Sequence, residues 1–552
     1  MTDFIYKIFL YSQEHPLIFT QFFFWAFYAI VLFVYTFIAN KRIIRSLFIL
    51  IASLFFYYKS SGFFFFLLIF STLVDYYIGK YIYQSKKELV KKLLLALSVT
   101  INLGVLAYFK YAYFFTEAFN QMFHSKYEVI NWLALWSNNL TGTHFDVDTI
   151  LLPVGISFFT FQTISYTIDV YRGLVKPVKN IIDFGFYVSF FPQLVAGPIV
   201  RAASFIPQIY EKFHLTKHEF GLALFMILKG LVKKIFIGDY IAVNFVDRVF
   251  GNPVSYTGFE NLFGLIGYSL QVYVDFSGYT DIAIGVALLM GFRLPKNFDS
   301  PYKALNTGEF WRRWHISLSS WLKDYLYIPL GGNRKATVGT YAGLGVILAV
   351  IVLLSNNLIL IPVFAGCIII IIIISWLYKP FRNHIESNIN RMITMLLGGL
   401  WHGASWNFIL WGGINGLGVV IYKYWRKISP WENSNKWIVR AWRILLTFSF
   451  ITFTRVFFRG ESYEKSVIML KKIWNEIDIS LIPDIVYSYK YVFLMMGFGF
   501  LTHWLSYNFK DKMRDKFIAS PVWVKVLTSV IVIFIIYQSI SADMQPFIYF
   551  QF

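Results

Sequence analysis

The chain has 552 residues, of which 57% are hydrophobic, 21% aromatic and 14% charged. Soluble domains carry about 25% charged residues, so this composition excludes an ordinary soluble protein and predicts an integral membrane protein. The formal net charge of +20 would suit nucleic-acid binding, but the basic residues cluster in short loops between apolar segments, as membrane topology requires, and we expect no nucleic-acid partner.

Apolar stretches of about 20 residues, the length that a membrane helix needs, recur along the whole chain. They lie near residues 17–39, 44–58, 62–82, 93–116, 219–247, 260–290, 338–356, 358–378, 394–422, 441–458, 491–507 and 523–541. Two further stretches, 150–171 and 184–200, contain prolines and glycines and are predicted to be broken or re-entrant. The sequence therefore predicts an all-α polytopic integral membrane protein with roughly 11–14 transmembrane or re-entrant helices.

The basic loops of the N-terminal part predict an orientation. Lys41 and Arg42 follow the first stretch and a lysine-rich segment, 86–92, follows the third, whereas the loop 116–148 has one basic residue, Lys126. Basic loops favour the cytoplasm, so the N-terminus and the loop 116–148 are predicted to lie outside.

Residues 306–330 have helical periodicity without the uniform hydrophobicity of a span. Asn306 followed by Glu309 resembles a capping box, and aromatic side chains then recur at helical spacing as far as Pro329. Such a helix is predicted to lie along the membrane interface or to dip into a funnel, with His315 on its buried stripe.

Two histidines, His402 and His315, are the strongest candidates for chemistry. An imidazole at membrane depth costs free energy unless it has a partner or faces a wet cavity, so it marks a candidate functional site. The alternatives are structural: a core histidine bonded to a carbonyl for His402, and an interfacial polar residue for His315. A third histidine in an apolar stretch, His503, has no supporting residues around it and is interpreted as structural.

The neighbours of His402 favour catalysis over the structural alternative. Small residues permit close helix packing in membranes, and glycines recur around it at 398, 399, 403, 412, 413, 416 and 418. Trp401, Trp406 and Trp411 can wall a ligand space. A neutral imidazole in such a space could accept a proton from a hydroxyl or thiol.

Carboxylates inside apolar stretches form a second set of candidates. Asp275, Asp281 and Asp169 are each predicted to pair with Lys229, Lys233 or an arginine. Such pairs are as often structural as functional, so a non-enzymatic polysaccharide transporter or scaffold is the alternative from another class.

Several familiar enzyme classes are excluded by their missing motifs. The chain contains no P-loop, dinucleotide-binding, zinc-protease or serine-hydrolase signature. Cys367 is the single cysteine, so a cysteine-based zinc site within one chain is impossible, and we expect no metal.

Ordered motifs over about residues 150–420 resemble the membrane-bound O-acyltransferase (MBOAT) family, most closely its bacterial alginate and peptidoglycan O-acetylation branch. The matching stretches are LPVGISFFTFQ at 152–162, FPQLVAGPI at 191–199, DFSGYTD at 275–281, NFDSPY at 297–302, and the segments 310–332 and 398–411, and the ending at 547–552 also fits.

The resemblance implies a single membrane domain over residues 1–552 with a tunnel through the membrane. Its core motifs lie at 150–420, with peripheral spans at 1–116 and extra C-terminal spans at 440–552. The resemblance also implies that His402 is catalytic and that His315 occupies the second catalytic position. The candidate substrate-binding residues are Trp311, Arg313, Trp314, Trp401, Trp406 and Asn407.

We therefore expect an acyltransferase of the bacterial inner membrane that passes an acyl group, expected to be acetyl, from a cytoplasmic thioester donor towards an extracytoplasmic polysaccharide. Acetyl-CoA is the expected donor, and no bound cofactor is expected. His402 would remove a proton from an oxygen nucleophile, while His315 would polarise the acyl carbonyl or steer the donor.

The expected partners are membrane lipid, the polysaccharide acceptor and an exported SGNH-type acyltransferase. The last follows from the resemblance and from the lack of an extracytoplasmic globular domain in this sequence. The nearest enzymatic alternative is D-alanyl transfer to a cell-envelope polymer.

Overall fold

The computed structural model describes residues 9–12, 16–142, 144–195 and 197–539. These residues form helices and connecting segments without a β-strand, which confirms the predicted all-α class. The expected ending at 547–552, and Ala196 of the motif at 191–199, lie outside the described residues.

The described α-helices are numbered here in chain order. They are α1 (Phe22–Ile38), α2 (Arg42–Ser61), α3 (Phe65–Gln84), α4 (Glu88–Leu106), α5 (Ala112–Phe123), α6 (Trp132–Thr141), α7 (Ile156–Tyr171), α8 (Ile181–Ser189), α9 (Phe191–Leu194), α10 (Ala202–Tyr210), α11 (Lys217–Leu231), α12 (Asp247–Gly251), α13 (Gly258–Leu289), α14 (Thr307–Arg313), α15 (Ile316–Leu322), α16 (Val338–Ser355), α17 (Leu360–Leu377), α18 (Lys379–His402), α19 (Trp406–Ile428), α20 (Trp437–Arg459), α21 (Tyr463–Asn475), α22 (Ile482–Ser488), α23 (Lys490–Trp504), α24 (Tyr507–Ala519) and α25 (Val522–Ser539). Short π-helices occupy Ala107–Tyr111, Val232–Asp239, Ala242–Val246 and Lys323–Tyr327.

Several of these helices are long and apolar enough to cross a membrane. Seven within the described residues meet that condition, or eight if the bent pair Ile479–Ser488 and Lys490–Trp504 is one span. The predicted number, 11–14, also counts shorter and interrupted segments. No part of the apolar segment of helix α17 is buried by the rest of the structure. An apolar helix exposed in this way is stable only when lipid surrounds it. The chain is therefore a multi-pass membrane protein.

The two stretches that the sequence predicts to be broken are interrupted. In the first, α7 begins only at Ile156, after Gly155 has adopted a left-handed conformation with φ of 73°. In the second, the chain divides into α8 and α9, and residues 195 and 197–201 are not helical. The predicted spans 44–58 and 62–82 correspond to α2 and α3, which are separated by a 3₁₀ turn, Gly62–Phe64, where Gly62 has a left-handed φ of 62°.

The chain forms two compact units. The first comprises the described residues within 1–99, 157–319 and 433–552, and the second comprises those within 100–156 and 320–432. His315 belongs to the first unit and His402 to the second.

The core of the first unit is α13, whose apolar window is 89% buried. Thr257 and Glu260 begin this helix with a complete capping box. Glycines then let α11 lie directly against it: a Cβ at Gly230 would be 2.6 Å from the carbonyl oxygen of Gly278. Close backbone packing of this kind replaces the hydrophobic driving force that lipid removes.

Ion pairs also connect α13 with α11 and with the π-helix that follows α11. Asp281 Oδ2 lies 2.8 Å from Lys233 Nζ and 3.1 Å from Lys229 Nζ, which confirms its predicted pairing. Asp275 instead binds Lys234, at 2.7 Å, because the π-helix that follows α11 turns this next lysine towards α13 as well. Paired in this way, the carboxylates stabilise the helix contact.

Candidate active site

The apolar segment that contains His402 is two helices rather than one. Helix α18 ends at His402, residues 403–405 are not helical, and α19 begins at Trp406, so the prediction of one span over 394–422 is wrong at this point. Only glycine fits at the first residue of this break, because a Cβ at Gly403 would lie 2.0 Å from the Phe408 ring. His402 is therefore the last residue of a helix.

Aromatic side chains enclose the imidazole of His402, which is 3% exposed. The rings of Trp401 and Trp411 meet it edge to face at centroid distances of 5.0 and 5.1 Å. Trp406 is half-buried and packs on Phe114 at 5.0 Å. Of the three tryptophans, Trp401 and Trp411 contact the histidine and Trp406 packs on Phe114; their role as the wall of a ligand space stays a prediction.

Two residues that the sequence analysis missed hold the end of α18. Lys110 Nζ donates to the carbonyl oxygens of Trp401 and His402, at 2.8 and 3.1 Å. Tyr111 Oη donates to the carbonyl oxygen of Leu400 at 2.9 Å. The available signal was that Lys110 is the only charged residue of the apolar stretch 93–116.

Glycines bring α18 and α19 into backbone contact. A Cβ at Gly399 would lie 2.2 Å from Phe408 O, and one at Gly412 would lie 2.4 Å from Met395 O. The predicted close approach is therefore confirmed. The backbones of the two helices therefore pack directly on each other.

The segment around His315 is also broken. Helix α14 ends at Arg313, His315 has a left-handed φ of 43°, and α15 begins at Ile316, so the predicted continuous helix over 306–330 is wrong. The main chain of Asn297 supplies a hydrogen-bond partner at this break, because Ile316 N donates to Asn297 O at 2.9 Å. The predicted burial is confirmed, since His315 is 1% exposed.

Asn297 determines which nitrogen of His315 carries the proton. Its Oδ1 accepts from Ser317 N at 3.1 Å and from Ser317 Oγ at 2.9 Å, so this atom is an oxygen acceptor. His315 Nδ1 lies 3.3 Å from the same oxygen and must donate to it. Burial lowers the pKa of His315 to about 3, so the imidazole is neutral at pH 7, with its lone pair on Nε2.

The predicted cap of α14 forms with one change. Asn306 accepts from Glu309 N at 2.8 Å as expected, but the Glu309 carboxylate bonds Leu305 N, at 2.9 Å, instead of Asn306 N. The helix start is thus positioned by its own sequence.

The other candidates of the first unit are largely occupied by structural contacts. Arg313 donates to Glu309 at 2.6 Å and to Tyr507 Oη at 2.7 Å. Trp314 is buried beneath the Arg455 guanidinium, at 4.4 Å from its ring centroid. Trp311 is half-buried beside Phe310. In the second unit Asn407 is buried next to Trp406.

Comparison with known proteins identifies the family. The model of the membrane-bound O-acyltransferase family, MBOAT, matches residues 63–351. The chain is also 30% identical over 563 residues to the peptidoglycan O-acetyltransferase of Helicobacter pylori, covering 93% of each protein. The chain belongs to the membrane-bound O-acyltransferase family. As a member of this family it is a membrane acyltransferase, and the resemblance to this family is confirmed.

Two further relatives of this acyltransferase show the range of the similarity. A Pseudomonas putida protein named "probable alginate O-acetylase AlgI" is 33% identical over 477 residues, or 83% of this chain and 84% of that protein. The teichoic acid D-alanyltransferase of Bacillus subtilis is 27% identical over 323 residues, or 56% of this chain and 69% of that protein.

Gly412→Ala should destabilise the protein, because its new methyl group meets the backbone of α18 rather than a mobile side chain. Over-packing typically costs about 1–3 kcal/mol, so the apparent melting temperature in detergent should fall by several degrees. Gly345→Ala in α16 is the matched control, since nothing lies within 4 Å of its Cβ position. Equal melting temperatures for the two variants would contradict the packing argument.

His315→Gln should reduce the acid sensitivity of the fold. The unfolded chain takes up a proton on this histidine below about pH 6.5, whereas the native state stays neutral until about pH 3, so stability falls as the pH drops through that window. Each pH unit within this window removes roughly 1 kcal/mol. Between pH 7 and 5 the melting temperature of the wild type should therefore fall further than that of the variant. The exposed histidine His218, changed to Gln, serves as the control, and parallel curves for wild type and His315→Gln would refute the argument.

Proposed function

We propose that this acyltransferase moves an acetyl group from a cytoplasmic thioester donor to an extracytoplasmic acceptor for polysaccharide O-acetylation. The observation that carries the proposal is His402, enclosed by tryptophans at a helix break within a member of this family. The relatives named for O-acetylation align with 93% and 83% of the chain, against 56% for the D-alanyltransferase, which supports acetyl as the group transferred.

His402 acts as the general base in this proposal. It takes the proton of the attacking hydroxyl, whose oxygen forms a bond to the thioester carbonyl carbon. The carbon–sulfur bond then breaks, and the thiolate leaves and is protonated. Histidine suits this step because its proton affinity lies near the working pH.

The resemblance implies that His315 either polarises the acyl carbonyl or steers the donor. The hydrogen bonds of His315 favour the second role. Polarising an acyl carbonyl requires a donor, but the Asn297 contact keeps the proton of His315 on Nδ1 and the lone pair on Nε2. An acceptor at Nε2 is suited to orienting a substrate group that donates a hydrogen bond. We therefore assign His315 to steering rather than to carbonyl polarisation.

The proposed direction of transfer follows from the charged loops. Lys41, Arg42 and the lysine-rich segment 86–92 favour the cytoplasm, which leaves the N-terminus and the loop 116–148 outside in the bacterial inner membrane. Acetyl-CoA is the proposed donor, with no bound cofactor. Lipid contacts the exposed apolar helices such as α17.

An exported SGNH-type acyltransferase is the proposed partner, docking on the outer loops. A large glycan fits poorly into a narrow membrane path, so a small hydroxyl of the partner would receive the acetyl group first and the glycan would receive it second. D-alanyl transfer remains the alternative that the similarity to the Bacillus subtilis protein favours.

His402→Gln should abolish glycan acetylation in cells while the protein still inserts at normal levels. Losing a general base lowers rates by about 10²–10⁴-fold. His503→Gln is the matched control, because that histidine is equally buried but contacts Tyr273 and Tyr302 of the first unit. Activity of His402→Gln within about twofold of the wild type would refute the catalytic role.

Purified protein supplied with acetyl-labelled CoA should transfer label to the purified SGNH-type partner, and His402→Gln should not. A D-alanyl carrier protein offered as donor in a parallel reaction should give no transfer. Full-rate glycan acetylation without a partner would rule out the relay, and transfer only from the D-alanyl carrier would replace acetyl with D-alanine.

A further inference from the structure

The backbone carbonyls at the end of α18 accept hydrogen bonds from a second segment of the same unit. The last four carbonyls of any helix lack intrahelical partners, and at membrane depth no bulk water replaces them. In an uninterrupted helix the carbonyls of Leu400, Trp401 and His402 would accept from the amides of residues 404, 405 and 406. In this structure they accept from Tyr111 and Lys110 instead.

The donors come from a π-helix, Ala107–Tyr111, between α4 and α5. A π-helix inserts one extra residue into a turn and redirects the side chains around it. Two consecutive residues, Lys110 and Tyr111, here reach the same helix end. Such insertions are frequent at functional sites.

An ion pair within the described residues does not account for the position of Lys110. Lys110 forms none with any residue that the structure describes, and its bonds all go to backbone carbonyls. Its ammonium also lies 6.0 Å from the ring centroids of Tyr111 and Trp401. A cation suits this place because helix C-termini carry partial negative charge.

We propose that Lys110 is a positioning residue for His402. By binding the carbonyls of Trp401 and His402, it replaces the hydrogen bonds that would continue α18 into α19 and so keeps the break at 403–405. Tyr111 supports it through Leu400. The inference deepens the proposed function, since it gives His402 its place at a helix end, but its structural part stands independently of the role of His402.

The kinetic test uses substitutions that separate hydrogen-bond donation from size. Lys110→Arg and Lys110→Gln keep N–H donors, whereas Lys110→Met keeps only the chain length. With purified protein, partner and acetyl-CoA, Lys110→Met should lower kcat by about 10–100-fold with KM within about twofold, because misplacement of a catalytic group by about 1 Å costs up to about 100-fold. Arg and Gln should restore most of the rate. Lys335→Met, at an exposed lysine of the same unit, is the control.

A second readout follows the backbone rather than the reaction. If the break closes, the amides of residues 404–406 become helical, so hydrogen exchange in a peptide covering 398–408 should slow by about tenfold in Lys110→Met and stay unchanged in Lys335→Met. This result would support the positioning role even if His402→Gln proved active, which would overturn only the proposed function. Wild-type kcat and wild-type exchange in Lys110→Met would overturn the inference.

Tyr111→Phe tests the positioning role if Lys110→Met does not fold. It removes one hydroxyl and the single bond to Leu400 O, so kcat should fall by about threefold and exchange around residue 404 should slow. Wild-type values for both measurements would overturn the inference.

Discussion

The need to satisfy backbone hydrogen bonds without water governs both candidate histidines. Each lies at a break in a helix, where carbonyls and amides lose their regular partners. At His402 the replacement donors are the side chains of Lys110 and Tyr111. At His315 the replacement is main chain, since Ile316 N pairs with Asn297 O. The breaks therefore depend on neighbouring segments of the same unit, and so does the placement of each imidazole.

Close glycine contacts supply the rigidity that such breaks require. In the first unit Gly230 lies against Gly278, and in the second Gly399 lies against Gly412. Lipid gives packed helices no hydrophobic advantage over separated ones, so backbone proximity and ion pairs such as Lys233 with Asp281 hold the helices together. The histidines are thus attached to packed helices rather than to loose loops.

Features encoded within a few residues could be predicted from the sequence, and features that depend on distant residues could not. The apolar spans, the Asn306 cap and the burial of both histidines follow from local composition and spacing. The breaks at 314–315 and 403–405 do not. Lys110 and the carbonyl of His402 are 292 positions apart in the chain, and Asn297 is 18 positions from His315. Periodicity continued through both breaks because the local pattern remained helical on either side.

The hydrogen bonds of Asn297 limit the chemistry as well as the geometry. Its single Oδ1 atom accepts from the Ser317 amide, the Ser317 hydroxyl and His315 Nδ1, so rotating the amide group would place an N–H donor against the Ser317 amide donor. The tautomer of His315 is therefore set by the backbone of α15 and not by a substrate. In its neutral form His315 therefore offers a hydrogen-bond acceptor at Nε2 and no second donor.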